Sequence, residues 1–247
     1  MMGKLSLRSF VCGIGAFLLL WALAAHLLNI PVVPPPSEVF ARLAEKFTGV
    51  IAVHAGYSLM RIALGLSLAV AVGYPIGILM GYFPRVNRIL APMLYLAYPI
   101  PKIALLPVVM LLFGVGEAGK ILLIFLIIVF QVVVAVRDAT AGIPAATYEP
   151  LRVLGASFWQ MVRHIVLPAS LPKFITAVRI AMATAISVLF FTETFGTKYG
   201  IGYYIMDAWL RVNYLDMYAG IAVLSAIGLL LFALLDAAEH VLCRWKN

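Results

Sequence analysis

Residues 148–168 read YEPLRVLGASFWQMVRHIVLP, and this stretch decides how the rest of the chain is interpreted. It lies in a polar, partly amphipathic island, residues 137–173, while the residues on both sides form long apolar runs. The pattern predicts a membrane protein with one prominent segment outside the bilayer.

The composition supports a polytopic membrane protein. Of 247 residues, 64% are hydrophobic and 11% are charged, whereas about a quarter of the residues of a soluble domain are charged. The net charge of +8 is of the kind that Lys- and Arg-rich cytoplasmic loops produce, so it does not indicate a nucleic-acid partner. Cys12 and Cys243 lie at opposite ends of the chain and are assigned no role.

Six apolar runs approach the roughly 20 residues that cross a bilayer. The predicted spans are Phe10–Leu28, Ile62–Phe83, about Met93–Phe113, Ile121–Val136, about Phe174–Thr192 and Met217–Leu235. The first run is longer than the hydrophobic region of a signal peptide and lacks a good cleavage site, which favours a retained span.

Loop charges indicate the orientation of these spans. The side that holds the N-terminus carries the larger set of basic residues: Lys4, Arg8, Arg85, Arg88, Arg137, Arg152, Arg163, Lys173, Arg244 and Lys246. The other side carries a smaller set: Arg42, Lys46, Arg61, Lys120, Lys198 and Arg211. Because basic loops stay in the cytoplasm, both termini are expected there.

Two segments between spans are expected to form short helices. After an extended proline-rich linker, residues 31–36, the apolar residues Val39, Phe40, Leu43 and Phe47 share one helical face. That helix could lie on the outer membrane surface, pack across the bundle or simply connect two spans. The turn-rich loop 196–202 precedes a short interfacial helix, Tyr203–Leu210.

Span two carries small residues at four-residue steps: Gly65, Ala69, Gly73, Gly77 and Gly81. Such a stripe allows another helix to approach its backbone closely. We expect helix packing here rather than contact with solute.

Span three contains several prolines, among them Pro99 and Pro101 on either side of Ile100. Broken helix at membrane depth persists only where protein or a water-filled cavity satisfies its backbone. Pro99, Pro101 and Lys102 are therefore candidate lining of a translocation path, although Lys102 could instead extend to an interface. Gln131 in span four and Glu193 at the end of span five are further candidates, with interhelical bonding and helix capping as the respective alternatives.

The string GVGEAGK at residues 114–120 approaches a Walker A phosphate-binding loop. Ile121 stands where that motif needs a hydroxyl group, and membrane spans flank the string on both sides. It is interpreted as a tight turn. No catalytic constellation, cofactor-binding motif or metal-ligand spacing is recognised in the sequence, so an enzyme is not expected.

The island itself predicts two short helices. Thr147 is placed as the cap of the first helix, with Pro150 at its third position, and Gly155 as the residue that ends it. Ser157 and Gln160 form a capping box for the second helix, expected to end before Leu167-Pro168. Apolar residues recur at three- and four-residue spacing, which suits lipid head groups or a groove on a cytoplasmic partner.

The same stretch resembles the EAA motif of ABC importer permeases, EAA-x3-G-x9-I-x-LP. Glu149, Gly155, Ile165 and Leu167-Pro168 match its spacing throughout, and Pro150-Leu151 replace two alanines. Further strings resemble the nitrate, sulfonate and taurine subfamily: Ser58-Leu59-x-Arg61, Pro99-Ile100-Pro101 and Phe113-Gly114-x-Gly116-Glu117.

The resemblance implies an all-α, type I permease fold with cytoplasmic coupling helices between spans four and five. Residues 57–240 would be the transmembrane transport domain, preceded by residues 1–56 (first span, linker and interfacial helix) and followed by a tail, 241–247. It also implies that the following residues couple to an ATPase: Glu149, Leu151, Leu154, Gly155, Ala156, Ser157, Phe158, Ile165, Leu167 and Pro168.

The implied assembly lies in a bacterial or archaeal cytoplasmic membrane, surrounded by lipid. It contains a second permease copy, two cytoplasmic ATPase subunits that hold ATP and magnesium, and an extracytoplasmic solute-binding protein. Its solute would be small: nitrate, a sulfonate, taurine, bicarbonate or a vitamin precursor. The alternative is a self-sufficient secondary carrier or channel, although no inverted repeat is evident.

Overall fold

The computed structural model describes residues 7–246, with side chains for residues 11–245. Within that range the regular elements are helices: α1 Leu7–Leu28, α2 Pro36–Lys46, α3 Ala52–Tyr82, α4 Pro84–Ala97, α5 Leu106–Phe113, α6 Glu117–Ala141, α7 Ala145–Val153, α8 Phe158–Met161, α9 Leu167–Glu193, α10 Ile201–Leu210 and α11 Tyr214–Leu242. Short π turns lie at Phe47–Ile51 and Val162–Val166, and 3₁₀ turns lie at Lys102–Leu105 and Arg244–Lys246.

Five helical stretches are long and apolar enough to cross a membrane, and a sixth candidate is broken. The broken candidate pairs α4 with the segment Lys102–Phe113, bent by 80°. Pro99 and Pro101 lie at the break, where each removes a backbone donor and restricts the residue before it. Counting the bent pair as one span gives the six spans that the sequence predicts.

Two helices that the sequence predicts as separate elements are continuous with a span. Helix α2 passes through the π turn Phe47–Ile51 into α3, and α8 passes through Val162–Val166 into α9. The short helix predicted before span two is present as α2, and it leads directly into the span. No proline lies between Pro36 and Pro75 to end the helix. The π turn Phe47–Ile51 accommodates one extra residue per turn, so the helical hydrogen bonding continues from α2 into α3.

The described chain forms two compact units. The first comprises the residues up to Met60 together with Leu189–Asp236. Its apolar core draws on α2, the first π turn, α10 and α11: Val39, Ile51, Ile201, Tyr204, Ile205, Ala219, Val223 and Ile227. Asp216 at the start of α11 accepts a 2.6 Å hydrogen bond from Lys46 of α2. The short helix predicted at Tyr203–Leu210 is confirmed, and it begins two residues earlier.

The second unit comprises Arg61–Val188 and the described residues from Ala237 onward. Here the glycine stripe of α3 faces α6. A Cβ atom added at Gly65, Gly77 or Gly81 would lie 2.5–2.7 Å from the nearest side-chain atom of Ile124, Val136 or Thr140 respectively. The facing positions ascend together along both helices, so α3 and α6 run parallel, as spans two and four of a serial topology must.

Candidate functional site

The polar island folds into a hairpin whose first arm is α7. This helix begins at Ala145, with Pro144 as its cap residue in an extended conformation. The prediction that Thr147 caps the helix is wrong, because Pro144 already fixes the backbone angle and allows the helix to begin earlier. Pro150 consequently lies inside the helix, where it supplies no N–H for the carbonyl of Ala146.

Gly155 ends α7 as predicted. Its φ of +72° lies in the left-handed region that glycine adopts without strain. The Gly155 N–H donates to the carbonyl of Arg152 at 3.0 Å, and the Ala156 N–H donates to that of Leu151 at 2.9 Å. These two bonds form a Schellman motif, which satisfies carbonyls at the helix end and reverses the chain.

The second arm begins with the predicted capping box. Gln160 N–H donates to Ser157 Oγ at 3.4 Å, and Ser157 N–H donates to Gln160 Oε1 at 2.6 Å. The predicted end before Leu167-Pro168 is wrong, because the chain continues through the π turn into α9. Leu167 N–H donates to the carbonyl of Val162 across that wider turn, which accommodates the missing donor of Pro168.

An aromatic cluster fixes the hairpin to the end of α3. The ring centroids of Tyr82 lie 5.8 Å from Tyr148 and 5.1 Å from Phe158, and Phe83 lies 5.3 Å from Phe158. Burial raises the pKa of the Tyr148 phenol. Met161, Val162 and Ile165 of the second arm are also buried. These side chains position the hairpin.

The tip of the hairpin presents apolar side chains to solvent. Val153 is 87% exposed, Leu154 is 82% exposed and Trp159 is 76% exposed. We call these three residues the apolar tip. Leu154 was predicted from the sequence, whereas Val153 and Trp159 were not, because periodicity alone does not show which apolar face of a short helix is covered.

The other residues predicted to couple to an ATPase are divided between the two sides of the hairpin. Ile165 is buried and Phe158 belongs to the aromatic cluster. Exposed members are Glu149, Gly155, Ser157 and Leu167, and partly buried members are Leu151, Ala156 and Pro168.

The broken span borders a cavity of about 350 Å³. Four of the five predicted pathway residues line it together: Pro99, Pro101, Lys102 and Gln131. Thr184 of α9, which was not predicted from the sequence, also lines the cavity. Glu193 is not among the lining residues.

Lys102 both lines the cavity and caps the end of α4. Its ammonium group donates to the carbonyls of Tyr98 at 2.7 Å and Ala97 at 3.2 Å. The same group lies 4.9 Å from the ring centroid of Phe130. Carbonyls at a helix end lack intrahelical partners, and the partial negative charge there favours a cation.

Glu193 belongs to a buried group that caps the start of α10. The N–H of Gly202 donates to Glu193 Oε2 at 2.8 Å, the N–H of Ile201 to Ser58 Oγ at 2.9 Å, and the N–H of Gly200 to His54 Nδ1 at 3.1 Å. Ser58 also donates to Glu193 Oε1 at 2.8 Å. Of the two roles considered for Glu193, this geometry shows helix capping.

Arg61 was assigned to an outer loop, and the structure corrects this. The residue lies within α3 with its side chain fully buried, and its guanidinium donates to Glu117 through Nε at 2.6 Å and Nη2 at 2.7 Å. Arg61 and Glu117 both belong to the subfamily strings quoted above, so the sequence already marked each of them as a residue of interest. The two residues are 56 positions apart in the sequence, and a short motif does not show that such distant residues form a pair.

The Walker-like string forms the predicted turn. Gly114 adopts a φ of +77° directly after α5, and α6 begins at Glu117. Lys120 folds back to donate to the carbonyls of Val115 at 2.6 Å and Gly116 at 3.2 Å. Its ammonium therefore stabilises the turn.

The family model described as "Binding-protein-dependent transport system inner membrane component" matches residues 73–245. The taurine transport system permease protein of Escherichia coli is 33% identical over 234 residues, covering 92% of this chain and 85% of that protein. A Bacillus subtilis protein named provisionally as an aliphatic sulfonates transport permease is 32% identical over 221 residues, covering 89% and 80%. The formylaminopyrimidine transport permease protein of Halalkalibacterium halodurans is 27% identical, covering 93% and 92%.

Among solved structures, an inward-facing form of the MetNI methionine ABC transporter has a TM-score of 0.66. It is 20% identical and covers 80% of this chain and 96% of that chain. At this identity the likeness shows the fold.

Proposed function

The chain belongs to the family of binding-protein-dependent transport system inner membrane components and is the permease subunit of an ABC importer, and we propose that its solute is a small organic sulfonate. The observation that carries the proposal is the similarity to the taurine permease over 92% of the chain. A second relative, named for aliphatic sulfonates, supports the same class. The formylaminopyrimidine permease is less similar, at 27% identity, and defines the competing solute class.

Solute would be delivered by an extracytoplasmic binding protein and would pass along the broken span. The cavity beside α4 supports this path, because a bend of 80° exposes backbone polar groups that a regular helix would hide. A second copy of the permease would complete the path, in a bacterial or archaeal cytoplasmic membrane with lipid around the assembly. Both termini would lie in the cytoplasm.

ATP would be bound with magnesium and hydrolysed by two separate cytoplasmic subunits. The apolar tip suits a groove on such a partner, because burying three large exposed side chains would favour association. Leu154, Gly155 and Ser157 form or flank this tip. Glu149, Leu151 and Ala156 lie near it in sequence, and Leu167 and Pro168 lie beyond the π turn.

The hairpin has the rigidity that transmission of movement requires. The Schellman motif and the capping box define its turn, and the aromatic cluster holds it to α3. Because α8 continues into α9 without a loop, a displacement of the tip would be carried directly into span five. Closure of the ATPase pair would thereby rock the helices that border the solute path.

Reconstitution tests the proposal. The permease, its ATPase and its binding protein are placed in proteoliposomes, and uptake of radiolabelled taurine is measured with and without ATP. ATP-dependent uptake that requires the binding protein is expected. Uptake of formylaminopyrimidine but not of taurine would contradict the sulfonate assignment, and uptake without ATP would favour a secondary carrier.

The coupling role of the tip is tested separately. Leu154→Asp is expected to reduce co-purification of the ATPase by about tenfold or more, because it places a charge in an apolar contact. Ala146→Asp is the matched control, since it adds the same charge to an exposed site in the first turn of the same helix, where an acid is favourable. Equal retention of the ATPase by both variants would argue against docking at the tip.

A further inference from the structure

The cavity beside the broken span offers hydrogen-bond donors and one positive charge. Its polar side chains are those of Lys102, Gln131, Thr184 and Tyr98. Among the described residues that line it there is no Asp or Glu. An ammonium donates only, and amide and hydroxyl groups can donate. The lining therefore complements a negatively charged oxygen ligand and repels a cation.

The ammonium group of Lys102 can donate one more hydrogen bond to such a ligand. An ammonium has three N–H donors, and two acceptors lie within hydrogen-bond distance, the carbonyls of Ala97 and Tyr98. The carbonyls hold the charge at the cavity wall, and the faces of Tyr98 and Phe130 flank it at 5.3 and 4.9 Å from their ring centroids. A further anionic acceptor would complete the coordination of the ammonium without removing the helix cap.

The geometry points to a transit site for the oxyanion head of the solute, formed by Lys102, Gln131 and Thr184. This inference rests on the proposed function and adds to it a charge-selective step inside the permease itself. A sulfonate group presents three oxygens to the three donors, and the apolar lining, which includes Ile103, Ile127 and Val188, suits a short carbon chain.

The site is suited to weak, reversible binding. A single charge that is shared with two carbonyls attracts an anion less strongly than an unshared charge, and a cavity of about 350 Å³ leaves room for water beside a small solute. Conduction requires binding that is favourable enough for entry and weak enough for release. The break in the span thus creates the cavity, and Lys102, which lies at the break, favours a negatively charged solute there.

Chemical protection tests the site on the purified permease. Lysine residues are acetylated with and without ethanesulfonate, and modification of each lysine is followed by mass spectrometry. At twice the dissociation constant, ethanesulfonate should slow modification of Lys102 by about threefold, following 1 + [L]/Kd. Lys198 is the internal control, because it is exposed and does not line the cavity.

Transport by variants provides a second measurement. In proteoliposomes that contain the ATPase and the binding protein, Lys102→Gln should lower taurine uptake per ATP hydrolysed by about tenfold, the effect of losing a charge-assisted hydrogen bond. Lys102→Arg should retain most of it, and Lys120→Gln should leave this ratio unchanged. Stimulation of the ATPase by loaded binding protein shows that each variant is folded and coupled.

Failure of the site and failure of the sulfonate assignment give different results. Unprotected Lys102 at saturating ethanesulfonate would overturn the site, even if the wild-type complex transports taurine. A Lys102→Gln variant with unchanged uptake per ATP would do the same. Protection of Lys102 in a complex that does not transport taurine would support the oxyanion site and reject taurine as the solute.

Discussion

At the scale of single residues, a few small or charged side chains determine the packing of a largely apolar chain. Gly81 shows this most directly. A Cβ atom added there would lie 2.5 Å from Thr140 Cβ and 2.7 Å from the carbonyl oxygen of Arg137. Backbone oxygen cannot move aside cheaply, so α3 and α6 can approach this closely only when the position is glycine.

The first prediction concerns this contact. Gly81→Ala should destabilise the protein by about 1–3 kcal/mol through overpacking. Gly56→Ala on the same helix is the control, because nothing lies within 4 Å of its added Cβ and alanine favours a helix by up to about 1 kcal/mol. Thermal unfolding in detergent measures both variants. Similar unfolding temperatures would contradict the close approach of α3 and α6.

The second prediction concerns the ion pair of Arg61 and Glu117. Replacing Glu117 by leucine removes a partner that accepts two hydrogen bonds from a fully buried guanidinium, and should destabilise the protein by about 3 kcal/mol. The double variant Arg61→Met with Glu117→Leu should be less destabilised than the sum of the single variants, because residues in direct contact are not additive. Unfolding in a denaturant series measures the coupling, and strict additivity would contradict it.

At the scale of elements, α10 depends on side chains from outside itself. His54, Ser58 and Glu193 accept the hydrogen bonds of its first backbone N–H groups. A helix of ten residues contributes few internal bonds, so external acceptors at its start matter more than they would for a long span. The start of this helix is therefore held by α3 and by the end of α9.

The third prediction follows from that arrangement. Glu193→Leu removes the acceptor of the Gly202 N–H and should destabilise the start of α10 by about 1 kcal/mol or more. Hydrogen exchange at Ile201 and Gly202 should become faster. Asp207→Asn is the control, because its pair with the exposed Arg211 is expected to contribute little. Unchanged exchange in Glu193→Leu would exclude the capping role.

The hairpin shows what sequence can predict at this scale. The Gly155 turn and the Ser157–Gln160 capping box are local patterns, fixed by residues within five positions of each other, and both are confirmed. The predicted Thr147 cap was wrong because Pro144 lets the first helix begin earlier. The predicted helix end before Leu167-Pro168 was wrong because the π turn Val162–Val166 continues into α9. The Tyr82 and Phe83 contacts with Phe158, and the pairing of Arg61 with Glu117, join distant residues that no short pattern connects.

At the scale of the whole molecule, the distribution of basic residues predicts the orientation in the membrane. In the structure Arg61 and Lys120 of the outer set and Arg137 and Lys173 of the inner set all lie within long helices, so the excess of Lys and Arg on the side of the N-terminus is unchanged. Since loops rich in these residues remain in the cytoplasm, the hairpin should lie there, where a nucleotide-hydrolysing partner could reach it. The number of spans followed from hydropathy alone, whereas the 80° break required the prolines to be considered.

The fourth prediction tests this orientation. Alkaline phosphatase fused after Asn213, between spans five and six, should be active because it is exported. The same enzyme fused after Ser157 in the hairpin should be inactive, and green fluorescent protein at the C-terminus should be fluorescent. The reverse activities at Asn213 and Ser157 would show that the chain is inserted the other way.

The two π turns have a consequence for how such a chain can change over time. Val162–Val166 joins α8 to α9, and its wider winding fits one more residue into the turn than a regular helix holds. Each residue of a regular α-helix turns the chain by roughly 100°. Deleting one residue at the π turn would restore regular winding and leave the direction of the apolar tip nearly unchanged, whereas deleting one from the regular part of α9 would rotate the tip by about that angle. A single codon lost at this turn could thus be tolerated, while one lost further along the helix would redirect the hairpin.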